Sequence, residues 1–84
     1  MFSAATAYKL VKPEHPDDVL TFCKDFGNFY VFGFVPKGVD PEAYFGGTFY
    51  DAVNKKTGEY FMYDILSDPK AWLNSEKVDL HNIN

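Results

Sequence analysis

The nine residues NFYVFGFVP, 28 to 36, are apolar at almost every position. In a strand, successive side chains point to opposite faces of the sheet. Phe29, Val31 and Val35 therefore ask for cover on one side, and Tyr30, Phe32 and Phe34 on the other. A sheet with one wet face alternates apolar and polar residues. This stretch does not, so the chain must close both sides of its central strand.

The material for doing so is limited. The 84 residues make a single α+β domain, 1–84, near the size at which one core only just suffices. Aromatic side chains make up 19% of the chain and compensate for its shortness, because each buries more area than an aliphatic one. Cys23 is the one cysteine and has no partner for an internal disulfide. The N-terminal residues MFSAATAYKLVKPEH lack the charged start, apolar run and cleavage site of a signal peptide. No apolar run approaches the roughly 20 residues a bilayer span requires. The expectation is a cytoplasmic protein that does not engage a membrane.

Charge narrows the partners. Twelve acidic residues face eight basic ones, all lysine, for a net charge of −4. Nucleic-acid sites depend on arginine for bidentate and stacking contacts, and on excess positive charge for counterion release. The chain has no arginine and the opposite sign, which argues against nucleic acid and suits a basic protein partner.

Local signals give the order α-β-β-β-β-α. Residues 3–12, SAATAYKLVK, read as a helix capped by Ser3, with Ala4, Ala7, Tyr8 and Val11 as its apolar stripe. Residues 17–26 read as a strand, joined to the central one by a two-residue turn at Gly27 and Asn28. That turn sets Phe26 against Phe29, Lys24 against Val31, Phe22 against Gly33 and Leu20 against Val35 on one side, with Asp25–Tyr30, Cys23–Phe32 and Thr21–Phe34 on the other. Residues 36–47 read as a loop. Residues 48–54 and 59–65 read as strands joined by a three-residue connection ending at Gly58, so that Lys55 faces Glu59, Val53 faces Phe61 and Asp51 faces Tyr63. Residues 67–76 read as a helix with Ser67 as cap and Pro69 in the first turn. The tail, VDLHNIN, reads as a brief edge strand or a frayed end. The expected fold is a four-stranded, mainly antiparallel sheet with two short helices on one face. Its second face would then be closed by a homodimer mate or a foreign protein, or by the 36–47 loop with Val39, Tyr44 and Phe45.

Candidate chemistry is sparse. The run EHPDD, 14–18, sets His15 among carboxylates, but two prolines oppose their convergence on a metal, and the run reads as a solvated acidic linker. Cys23 in mid-strand reads as a small buried apolar residue rather than a nucleophile. The Phe45-Gly-Gly47 run lacks the spacing and lysine of a phosphate loop. Asp51 is the informative carboxylate, because its pairing puts it on an apolar face, where it needs the Tyr63 hydroxyl, water or a partner. Tyr50, Tyr60 and Met62 have the composition of a protein-contact surface, and Asp51 and Asp64 are its expected charged contacts.

The hairpin FYDAVNKKTGEYFMYDI, preceded by CKDFGNFYVFGFVP, resembles in layout the small immunity proteins of bacterial toxin systems, the YrhB-like group, and small proteins of Gram-positive bacteria and their prophages. The likeness spans roughly residues 3 to 66 and rests on the Lys-x-Thr-Gly type turn, with Asn54 standing where aspartate is usual. It implies an immunity- or inhibitor-like binding protein that is not an enzyme and needs no cofactor. A structural homodimer is the alternative, and a small metal-dependent enzyme a more distant one.

Overall fold

The structure, a computed structural model, describes residues 1–43 and 47–83. Helix α1, Ala4–Val11, begins where the Ser3 hydroxyl accepts the Thr6 N–H at 3.2 Å, as its sequence predicts. A short turn leads into β1 (Asp18–Asp25) and β2 (Phe29–Pro36). Then follow β3 (Phe49–Asn54), β4 (Tyr60–Asp64), helix α2 (Pro69–Asn74) and β5 (Glu76–Lys77). The α+β class holds, with a five-stranded antiparallel sheet in the order β4-β3-β2-β1-β5 in place of four strands. The added strand lies ahead of the tail: Glu76, expected to end the second helix, and Lys77 pair with Asp25 and Lys24, because α2 already ends at Asn74. The α2 cap is Asp68 rather than Ser67, its carboxylate accepting the Ala71 N–H at 3.2 Å. The Ser67 hydroxyl is spent on the Asp64 carbonyl. No helix among the described residues is long and apolar enough to cross a membrane.

The two helices lie on opposite faces, which corrects the expectation that both share one. Ala7 and Val11 of α1 pack on Cys23, Tyr30, Phe32 and Val53, and Ile83 of the tail joins the same cluster. The other face belongs to α2 through Trp72. Its ring stands edge-on to Phe22 at 5.6 Å and 85°, and lies stacked over Tyr50 at 5.9 Å and 15°. Lys24 fixes this lid, its ammonium 2.7 Å from the Trp72 carbonyl and 4.3 Å from the ring centroid. Phe26, Phe29, Phe61 and Tyr63 extend the same stack of rings. The chain thus supplies cover for both sides of β2, and the question raised by NFYVFGFVP is answered from within. Above Phe22 and Tyr50 this face carries Trp72 of α2. Of the apolar residues of the 36–47 loop Val39 is exposed, while Tyr44 and Phe45 lie outside the described residues.

Both hairpins teach something about register. The first holds as expected from Asp25–Tyr30 to Phe22–Gly33, pinned by the tight turn at Gly27 (φ +93°). Phe22 lies so close over Gly33 that an added Cβ would sit 2.0 Å from its ring. Beyond that point a bulge at Thr21 shifts the ladder, and Leu20 pairs with Phe34 instead of Val35. Leu20 therefore joins Phe34 on the α1 side.

The second hairpin is offset by one residue from expectation. Asn54 N–H donates to the Glu59 carbonyl at 2.9 Å, leaving four residues in the connection instead of three. Lys55 is withdrawn from the ladder because it has other partners. Its N–H donates to Asn28, its ammonium meets Asp25 at 2.6 Å, and it lies 4.6 Å from the Tyr30 ring centroid. Asn54 compensates the turn by accepting the Lys56 and Thr57 amides on its side chain. Since strand side chains alternate, a one-residue slip exchanges the faces. Val53 pairs with Tyr60 and Asp51 with Met62.

Candidate functional site

The slip brings Tyr60 and Met62 to Asp51, whose own side is set by its pairing with Phe32 in β2. Asp51 now lies on the α1 side with Tyr60 and Met62, not opposite Tyr63. It is 5% exposed, and a carboxylate so buried must be paired. One oxygen accepts the Tyr60 hydroxyl hydrogen bond. The other lies 2.5 Å from Nε2 of His15, whose Nδ1 meets Asp18 at 2.7 Å. With carboxylate oxygens at both ring nitrogens, the imidazolium form alone has a donor for each.

His15 reaches this position because the segment between α1 and β1 folds back on itself. The Lys12 ammonium donates to the carbonyls of His15 and Asp18, each at 3.1 Å. The imidazole then lies flat on Phe34, 4.2 Å between centroids and 10° between planes. Within EHPDD, His15 and Asp18 are therefore half-buried and paired, which corrects the solvated-linker expectation for these two, while Glu14, Pro16 and Asp17 are exposed. Tyr60 is held in its protonated form, its hydroxyl pushed well above the ordinary tyrosine range by burial and then by the bond to Asp51.

His15 and Asp18 border a cleft. Pairing between β2 and β3 stops at Phe32–Asp51, although β2 continues to Pro36 and β3 begins at Phe49. The two strands part there and leave an opening of about 420 Å³. Among the described residues, Asp18, Glu42 and Asp51 contribute carboxylates to its wall, His15 is its one basic group, and no lysine lines it. Phe49 and Met62 stand beside Asp51 at 60% and 52% exposure.

Of the five residues expected to meet a partner, Asp51, Tyr60 and Met62 come together here. Asp64 is on the same side of the sheet opposite Phe49, where its carboxylate accepts the Leu66 N–H in the turn leaving β4. Tyr50 is separated from them. It points to the other face and stacks on Trp72, although its ring also borders the cleft. Sequence reasoning missed His15, Asp18 and Phe49. A carboxylate forced among apolar residues in a chain with two histidines was the available signal for His15.

Elsewhere the titratable groups serve the core. Cys23 is buried beneath α1, and burial, followed by the nearby Asp25 charge, pushes its thiol up to about 12. Burial alone would push the Asp25 carboxyl up, but the Lys55 hydrogen bond and the Gly27 amide overcome it and hold the carboxyl below its ordinary range. Among the described residues, no group of three or more His, Cys, Asp or Glu side chains is arranged to hold a metal ion. No family model matches the chain, and neither the comparison with curated proteins nor that with solved structures yields a match.

Proposed function

We propose that the protein is a non-enzymatic binding module that receives a lysine- or arginine-bearing segment of a protein partner at the parted ends of β2 and β3. The observation that carries this reading is the juxtaposition at the cleft: exposed Phe49 and Met62 beside three carboxylates, with no lysine among the described residues of the wall. A cationic side chain with an apolar stem matches both halves of that surface. Phe49 offers exposed ring surface to the cation, and Tyr60 with Met62 extends the contact along β4. Asp51 is placed by His15 and Tyr60, so its negative charge costs no further ordering when a partner arrives. An immunity- or inhibitor-like role, acting by masking a basic surface of its target, is the form of this reading that the hairpin's resemblance implies.

The test is an amide chemical-shift titration of labelled protein with short acetylated peptides that carry lysine or arginine next to leucine. The amides of Asp18, Phe49, Asp51 and Met62 should move together, less at high salt, and should stay still with the glutamate counterparts. Equal small shifts at all surface acids, with none concentrated at the cleft, would refute the reading.

A further inference from the structure

The two edges of the sheet are built differently. β5 is two exposed, charged residues, Glu76 and Lys77, a form that discourages pairing with another chain. β4 is five residues, Tyr60-Phe-Met-Tyr-Asp64, with no lysine, proline or bulge. Among the described residues nothing pairs with its outer side.

Its backbone groups can be placed. In an antiparallel ladder, pairs that exchange both backbone bonds alternate with pairs that exchange none. Asn54 N–H donates to Glu59 and Ile65 N–H to Thr48, so Glu59, Phe61, Tyr63 and Ile65 turn their backbone groups toward β3. Tyr60, Met62 and Asp64 turn theirs outward. The Asp64 carbonyl is already taken by the N–H and hydroxyl of Ser67. The N–H groups of Tyr60, Met62 and Asp64 and the carbonyls of Tyr60 and Met62 remain to be satisfied.

The geometry points to a second copy of this chain as the occupant, paired β4 to β4 in antiparallel register about Met62. In that register the two Met62 residues exchange both backbone bonds, and each Asp64 N–H donates to the Tyr60 carbonyl of the second copy. Every outward group that is still available is used except the Tyr60 N–H, which faces the Asp64 carbonyl held by Ser67. Phe61 falls opposite Tyr63 of the second copy, an aromatic pair of the kind that stabilises neighbouring strands. The strand's one charge, Asp64, falls opposite Tyr60 and not opposite itself, whereas a register centred on Asp64 would set two carboxylates together. The two-fold axis runs perpendicular to the sheet, so the ten-stranded product carries Phe49, Tyr60 and Met62 of both copies on one side. The pairing uses backbone groups of the edge and stands whether or not the cleft accepts a cationic side chain.

Sedimentation velocity from low micromolar to near-millimolar concentration tests it. The wild type should form a species of twice the 9.6 kDa chain mass. Met62→Pro removes an N–H that the β3–β4 ladder does not use, and should give a monomer with an unchanged circular dichroism spectrum. Met62→Lys sets two ammonium groups across the axis and should do the same by repulsion, which preserves the test if the proline variant fails to fold. A wild type that stays monomeric throughout overturns the proposal and leaves the edge to a strand of another protein. Two folded variants that still dimerise overturn it as well, by placing the contact elsewhere.

Discussion

The two faces of the sheet are closed by different means. Under α1 the contacts are small and complete: Ala7, Val11, Cys23, Phe32 and Val53 are all fully buried. On the other side a six-residue helix reaches the sheet mainly through Trp72, and Phe22, Phe26, Phe29, Tyr50, Phe61 and Tyr63 are each only half-buried. A two-turn helix with alanine on its inner side approaches closely and excludes water. A shorter helix cannot, so large rings bridge the wider gap. The first face should behave as the rigid core and the second as a lid that opens at lower cost.

The comparison can be broken at its strongest point first. Phe32→Ala empties the centre of the α1 face and should cost about 3 to 5 kcal/mol in urea unfolding, enough to unfold much of a domain this small. Trp72→Ala strips the other face, but from a half-buried position, and should cost roughly 2 kcal/mol, below the range for a fully buried ring. Equal losses would show that the faces contribute alike. Asp51→Ala leaves the Tyr60 hydroxyl and His15 without their shared acceptor and should cost about 1 to 3 kcal/mol. Asp51→Asn, which retains an acceptor for Tyr60, should cost less by the same assay. The smallest of these effects is at the cap: Ser3→Ala should destabilise by about 1 kcal/mol through the first turn of α1.

Acid provides a separate handle on the link between the hairpins. Folded Asp25 binds its proton less readily than the unfolded residue does, so protonation favours unfolding. The stability it contributes is present above the ordinary carboxylate range near pH 4 and is lost as pH falls through its depressed folded value. Lys55→Met should shrink that acid-dependent loss, since Lys55 provides the side-chain bond. An unchanged slope of stability against pH below about 5 would mean that other carboxylates carry it.

What was legible in the sequence, and what was not, divides along range. The first hairpin was readable because Gly27 and Asn28 leave the turn no slack, and α1 because cap and stripe lie within one helix. The second hairpin was misread by one residue because the deciding contact is Lys55 with Asp25, across the sheet in β1. That slip moved Asp51 from Tyr63 to Tyr60 and brought Met62 to the cleft. The side taken by α2 was equally hidden, since its six residues present one large ring and either face of β2 was apolar enough to receive it. His15 required two tertiary facts at once, the fold-back stitched by Lys12 and the placement of Asp51. Cys23 was read correctly because a small apolar residue in mid-strand has few other roles.

Nature has put one reporter on each side: Cys23, the single cysteine, beneath α1, and Trp72, the single tryptophan, on the other. The most direct check that the chain closes its own second face is acrylamide quenching of Trp72 at a concentration where the protein is monomeric. The fold requires a blue-shifted, partly protected indole while Cys23 stays unreactive to thiol reagents until the protein unfolds. A dilute monomer whose Trp72 emits and quenches like free tryptophan would mean that α2 does not lie on the sheet, and that the face above Phe22 and Tyr50 is left for another molecule.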